Sequence, residues 1–383
     1  MKIVHISEDY IEGWGYQENL LPLYQKRAGH DVVVVSNNEH LKYVQNKEMV
    51  GEIVKKGAEY EYDGIKIYKI KTYLNTSSTS FFCRGLYKIL AKEHPDMIFH
   101  HNVNISTLSV AAKYKRRYPQ VRLYADNHAD WINESKNRIW HKVFCETIIP
   151  WQVKRLGDDV NYYIGVSPMR CKYLNKVYRV PEQQIKFLPI GCDTDGAEQV
   201  NNSRVELRKQ YQIKNEVFVI VSGGKLDKSK GTLVLIEACD NLREKIPNLR
   251  LLLFGRIDDE VKETAKQKTW ITMEGWCDRY KTLSLLKMSD VACWPWLHTT
   301  LIEDSIACGI PLVVKKSDNV SHFAKEEAGV FMEKGDVYEL EKAILNVNSN
   351  YETYQRNATN AKNKFSYSTL VERLQGETFY ELK

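Results

Sequence analysis

Val217-Phe218-Val219-Ile220-Val221-Ser222-Gly223-Gly224-Lys225-Leu226-Asp227-Lys228-Ser229-Lys230-Gly231 is the stretch from which the fold can be read. The run Val217–Ser222 is apolar without alternation, the pattern of a strand covered on both faces. Two glycines follow, and helical spacing begins at Thr232 and runs to Ile246. Strand, glycine turn and helix in succession are the repeating unit of a parallel sheet layered with helices. Downstream, Leu251–Phe254, Ile271–Glu274, Asp290–Cys293, Leu312–Lys315 and Gly329–Met332 have strand character. Helical patterns at Asp258–Lys268, Tyr280–Ser289, Glu303–Cys308, Val320–Glu327 and Val337–Val347 lie around them.

Upstream the same alternation runs through Lys2–Ile6, Asp31–Ser36, Met97–His101, Val121–Ala125 and Tyr162–Val166. Tyr16–Ala28 and Ser106–Arg117 are among its helices. The run Ile65–Ile70 interleaves isoleucine with Lys66 and Lys69, which predicts an inserted or edge strand. The expected class is therefore α/β, with two Rossmann-like doubly wound domains facing a cleft. Ligands bind such sheets at the carboxyl ends of the strands. The turn-rich stretch Pro189–Asp193 marks the join, giving domains at 1–190 and 191–365. The segment 366–383 carries helical spacing at Leu370, Leu374 and Phe379 and is expected to return to the first domain.

Composition narrows the function. With 383 residues, 43% hydrophobic and 27% charged, the chain has the make-up of a soluble two-domain protein. No apolar run approaches the roughly 18 residues of a membrane span. The start, Met1–Ile6, reads as a strand and not as a signal peptide, so a cytoplasmic location is expected. The 8 cysteines are scattered without C-x-x-C spacing, which argues against a zinc site or a redox pair. The net charge of +6 is spread over clusters at Lys55-Lys56, Lys113–Arg117 and Lys154-Arg155. Such clusters suit solvated helix faces or anionic lipid head groups. Without interleaved aromatics they do not make a nucleic-acid platform.

Two motifs carry chemistry. In the opening stretch, Gly224 lets backbone approach a ligand, and Lys225 and Lys230 can both reach one diphosphate, offsetting its charge without a metal. A lysine-rich surface turn is the plainer alternative. Further on, Glu303-Asp304-Ser305-Ile306-Ala307-Cys308-Gly309-Ile310-Pro311 starts a short helix with a carboxylate able to accept ribose hydroxyls. Here a simple helix cap is the alternative.

Together these motifs resemble glycosyltransferase family 4, retaining enzymes of the two-Rossmann GT-B fold. Gly224–Gly231 matches the family's G-R-x(4)-K-G with Lys225 for arginine, and Asp304–Pro311 stands over E-A-M-A-C-G-x-P. The segment with Gly275 and Trp276 resembles the base-binding loop. The resemblance implies a nucleoside-diphosphate-sugar donor as substrate, no cofactor and no metal. It assigns the leaving diphosphate to Lys225 and Lys230 and the ribose to Asp304. The family's first glutamate falls on Trp296, which leaves His298, Thr299 and Thr300 as local candidates for phosphate and sugar. In the first half, Gly13 and Gly15 resemble the family's glycine loop, and Glu18 in the third glycine position argues against a nicotinamide site. His128 resembles the active-site histidine, with Asn127, Asp130 and His101 as acceptor-side candidates, Asp130 being placed either to orient His128 or to bind the acceptor.

The expected activity is retaining sugar transfer to a carbohydrate or lipid-linked hydroxyl, in cell-surface polysaccharide or glycolipid assembly. The stretch Arg138–Leu156 mixes tryptophans with lysines, as interfacial helices do, although Pro150 interrupts it. It suits either burial within the domain or a peripheral membrane contact. A catalytically degenerate binding subunit and a sugar-nucleotide epimerase of the same fold remain open.

Overall fold

A computed structural model describes residues 1–8, 10–37, 59–77, 80–133 and 137–382. Asp9 of the first loop and the basic pair Lys55-Lys56 lie outside them. The chain divides into two compact units, one of Met1–Pro189 with the chain from Leu370 onward, the other of Ile190–Thr369. No helix among the described residues is long and apolar enough to cross a membrane.

The first unit is built on an eight-stranded sheet. Its spatial order is Ile185–Phe187, Tyr162–Gly165, Arg122–Asn127, Met97–His100, Lys2–Ser7, Asp31–Asn37, Ile65–Ile70 and Glu59–Tyr62. All neighbours are parallel except the last pair. The run Val32–Val35 is buried throughout, as parallel strands covered on both faces require. Ile65–Ile70 is not an edge. It pairs with Asp31–Asn37 on one side and, through the Asp63-Gly64 turn, with Glu59–Tyr62 on the other. Its lysines misled the sequence reading because each is neutralised locally. Lys66 meets Glu93 and Glu59, and buried Lys69 donates to the Tyr10 carbonyl and lies 3.9 Å from the Glu12 carboxylate. After Gln375 the chain lies on this sheet, where Tyr380 N donates to Phe187 O at 3.0 Å.

The second unit holds a six-stranded parallel sheet in the order Ile271–Glu274, Leu249–Ile257, Phe218–Leu226, Val291–Trp294, Leu312–Lys315 and Gly329–Met332. The glycine motif departs from expectation in one respect. Instead of ending at Ser222, the strand continues through Gly223, Gly224 and Lys225 to Leu226, paired with Phe254–Ile257. Two side-chain-free positions allow it, because a Cβ on Gly255 would lie 2.4 Å from Gly224 O.

In both sheets the connection order reverses beside a central strand. The reversal falls between Lys2–Ser7 and Met97–His100 in one, and between Phe218–Leu226 and Val291–Trp294 in the other. The loops leaving the carboxyl ends there diverge to opposite faces and open a crevice.

Candidate active site

At the reversal in the second unit, the two motif loops touch. Gly231 turns with φ +75°, and a Cβ there would come 2.9 Å from the Trp296 ring. Gly224 has φ +98°, and a Cβ on it would face Thr299 Oγ1 at 3.8 Å. Lys230 Nζ donates to His298 O at 3.3 Å. It is half-buried, and burial lowers its pKa below the ordinary value. Lys225 is more exposed and pairs with Asp227 at 2.9 Å. Lys225, Lys230, Gly224, His298, Thr299 and Thr300 thus sit on two segments that pack together, the end of a strand with its following turn and the loop before Leu301. The tryptophan that stands in the family's glutamate position has a structural occupation. Trp296 covers Gly231, and its Nε1 donates to Gly335 O at 3.0 Å. Glu303 heads the acidic motif but was given no role in the sequence reading. Its Oε1 lies 3.1 Å from His298 Nε2, and it is 3% exposed, so it fixes the imidazole from behind.

Asp304 lies in the helix Leu301–Ala307, whose N-cap is Thr300. Both its oxygens are held by Arg279, Oδ2 by Nη1 at 2.6 Å and Oδ1 by Nη2 at 2.8 Å. The same guanidinium reaches Asp193 Oδ2 at 2.7 Å. Burial raises the Asp304 pKa, and Arg279 opposes the rise. A carboxylate has about four lone-pair positions, so this fork leaves room for further donors while fixing the group's plane. Arg279 stands three residues after Trp276, which is exposed, and Gly275 has open space where a Cβ would be.

In the first unit Gly13 turns with φ +78°, in the loop that also carries Gly15. The histidine expected at the strand end is held by a residue not singled out in the sequence, Asp126. His128 Nε2 lies 3.2 Å from Asp126 Oδ2, and His101 Nδ1 lies 3.1 Å from the same oxygen. Behind it, His101 Nε2 meets His5 Nδ1 at 3.0 Å, and His5 Nε2 meets Gln25 at 2.5 Å. A carboxylate only accepts, so both rings present N–H to Asp126, which leaves Nδ1 of His128 outside this contact. Burial alone would lower the His128 pKa, but Asp126 more than offsets it and the pKa is raised. Glu18 adds to the rise and Arg170 opposes it. His5 goes the other way, pushed down to about 3 by burial and by His101. Glu18, His101 and His128 also bring potential ligand atoms within 4.8 Å of one another. Both nitrogens of His101 and Nε2 of His128 are already engaged, so the group as folded is a hydrogen-bond network.

Asp126→Asn is expected to lower the His128 pKa, since an amide supplies no charge. The sign follows from linkage. A histidine whose folded pKa is raised stabilises the fold below about 6.5, and that stability is lost as pH rises through the raised value. The variant should therefore lose about 1–3 kcal/mol at pH 6 and less at pH 9. Imidazole NMR titration and unfolding at both pH values check this.

The family model described as Glycosyltransferase Family 4 matches residues 23–195, and that of Glycosyl transferases group 1 matches residues 203–364. The chain belongs to glycosyltransferase family 4. It is 23% identical over 187 residues to an uncharacterized glycosyltransferase of Methanocaldococcus jannaschii. That alignment covers 48% of this chain and 44% of the relative, so it spans less than half the relative's length. It is 19% identical over 284 residues to the alpha-monoglucosyldiacylglycerol synthase of Acholeplasma laidlawii, 68% of each chain. Anabaena Alr3699/HepE in complex with UDP superimposes with a TM-score of 0.68 at 16% identity, over 98% of this chain and 99% of that one. The fold is GT-B.

Three of the acceptor-side candidates have partners within the protein. Asn127 is buried and uses its amide on its own loop, donating to Ala129 O and Arg170 O and accepting from Ala129 N. Asp130 caps the following turn, accepting from Ile132 N and Asn133 N, and pairs with Arg170 at 3.3 Å. It does not orient His128. His101 is buried with both nitrogens bonded and supports Asp126 without reaching solvent.

Proposed function

We propose that this chain moves a sugar from a nucleoside-diphosphate donor to an acceptor hydroxyl, with retention and without a metal. The observation that carries the proposal is the meeting of the glycine–lysine strand end with the Pro295–Thr300 loop, Lys230 to His298 and Gly224 beside Thr299. Backbone close enough to touch a phosphate, with two cations beside it, suits a diphosphate leaving group. The lysines supply positive charge that a divalent ion would otherwise bring. In the reaction the bond from the anomeric carbon to the diphosphate breaks and the acceptor oxygen bonds to that carbon on the same face. The hydroxyl proton passes to the departing phosphate. Asp304, oriented by Arg279, takes the ribose, and His128 is the first unit's catalytic candidate.

UDP in the related Anabaena structure supports a nucleotide donor, and the name of the Acholeplasma relative, a monoglucosyldiacylglycerol synthase, supports an acceptor carried on lipid. The test is thermal unfolding with UDP-, GDP-, ADP- and CMP-sugars. At a hundred times Kd, a bound donor adds about 2.7 kcal/mol, a rise of several degrees. If no nucleotide sugar moves the transition at saturation, the proposal falls. Product formed without any acceptor would replace transfer by epimerisation.

A further inference from the structure

Six of the fifteen large apolar side chains exposed by the described residues lie between positions 131 and 151. They are Trp131, Ile132, Ile139, Trp140, Val143 and Trp151. Four of them sit on one continuous helix. It starts as a short α-turn at Arg138–Trp140, widens into a π-helix over His141–Ile148, and ends as α-helix over Ile149–Leu156. Pro150 does not break it. The proline stands in the first turn of the final α-helical part, where its missing N–H is least disruptive.

The helix has two distinct sides. Phe144, Cys145, Ile149, Val153 and Leu156 are buried in the first unit's core. On the outer side, Ile139, Val143, Thr147, Trp151 and Arg155 follow one another at intervals of four, all exposed. A step of four slightly overshoots one turn of α-helix and slightly undershoots one turn of π-helix, so over this mixed helix the two drifts offset each other. The positions therefore form one stripe. Ile139 is 78% exposed and Trp151 60%, values a soluble surface rarely gives to such residues in sequence. Trp131 joins this face at its N-terminal end, since its ring packs on Tyr173, the same side chain that His141 reaches at 3.3 Å.

Charge indicates what covers the stripe. Arg138, Lys142, Lys154 and Arg155 flank it and are exposed. Among the described residues none of the four has an acidic partner, and Arg155 instead lies over the Trp151 ring at 5.5 Å. The helix's single acid, Glu146, is taken up by His141 at 3.1 Å. Tryptophan and aliphatic residues at the centre, with unpaired cations around them, match the boundary of an anionic lipid bilayer, apolar inside and negative at its surface. We infer that this face of the first unit docks on an anionic membrane surface, with Ile139, Val143 and Trp151 entering the head-group boundary and Arg138, Lys142, Lys154 and Arg155 meeting lipid phosphates. It deepens the proposed use of a lipid-held acceptor by giving the enzyme a fixed seat beside it, but the docking itself requires no catalysis.

The test uses the full chain and vesicles of phosphatidylcholine, alone or mixed equally with phosphatidylglycerol, in a sedimentation assay. The wild type is expected to pellet with the mixed vesicles and to bind pure phosphatidylcholine at least about tenfold more weakly. Ile139→Ser with Trp151→Ser should lower partitioning into mixed vesicles at least about tenfold, with an unchanged unfolding temperature. Lys142→Gln with Lys154→Gln and Arg155→Gln should remove the preference for the anionic lipid and leave the residual apolar binding. A wild type that stays in the supernatant at low salt overturns the inference. So does binding that both variants retain in full, because the contact would then lie on another face. Neither result touches the donor-binding test, so failure of the docking face and failure of the sugar-transfer proposal remain separate.

Discussion

Replacing Lys230 with alanine is expected to remove roughly 3–4 kcal/mol of transition-state stabilisation, a loss of about 10²–10³ in kcat, while leaving the fold as stable or slightly more so. The two halves of that result have one cause. Lys230 is half-buried, among the described residues its ammonium donates to the carbonyl of His298 at 3.3 Å, and burial lowers its pKa. A cation held in this way destabilises the empty protein, and a lysine whose folded pKa is depressed weakens the fold as pH falls through its ordinary range. If the proposed diphosphate binds beside Gly224 and Gly231, it adds to the partial compensation that Asp227 gives. Removal therefore weakens the liganded state and spares the empty one. Lys230→Arg should restore part of the activity, since charge returns but the ammonium's compact shape does not. Steady-state kinetics with the donor found by thermal shift, together with unfolding of the ligand-free variant, checks both halves. A variant that loses stability and activity in parallel would make Lys230 a structural residue.

The turn geometry of Gly224–Gly231 was legible because its signal is local. A buried strand, glycines at positive φ and a helix start are consecutive in sequence, so Gly224, Lys230 and Gly231 could be placed without knowing any distant contact. Only the strand's true end at Leu226 was hidden, because it depends on Gly255 allowing close approach from the neighbouring strand. The partner of His128 was misjudged for a different reason. Asp126 and Asp130 both stand two residues from His128, but the strand ends at Asn127, so Asp126 keeps the strand's alternation and shares a side with His128 while Asp130 turns into the following loop. Arg279 and Glu303 were not recoverable in the same way. Arg279 binds Asp304 from 25 positions earlier in the chain, and Asp193 from 86 positions later, so the cluster exists only once three segments have folded together. The exposed side of Arg138–Leu156 was likewise ambiguous, since composition reports an amphipathic helix without saying which residues the sheet covers.

That three-segment cluster gives the largest expected effect on stability. Arg279→Ala should destabilise the second unit by about 3–5 kcal/mol, because it leaves Asp193 and Asp304 facing each other with no cation between them. Both carboxylates are almost fully buried, and Arg279 is the group that bonds both oxygens of Asp304. The cost should depend on pH with a definite sign. Burial already raises the Asp304 pKa against the pull of Arg279, and without the arginine it rises further. An acid whose folded pKa lies above its unfolded one binds more protons when folded, so the fold weakens as pH rises through that interval. The variant should therefore be closest to wild type near pH 5 and furthest from it at pH 8, which unfolding at the two values measures directly. Arg279→Lys, a single point charge replacing a two-pronged one, should keep part of the stability but lose the fixed plane of Asp304. If Asp304 takes the ribose in that fixed plane, the lysine variant will show weakened donor affinity at a nearly normal unfolding temperature. A variant that recovers both would reduce Arg279 to charge balance and remove its part in orienting the donor site.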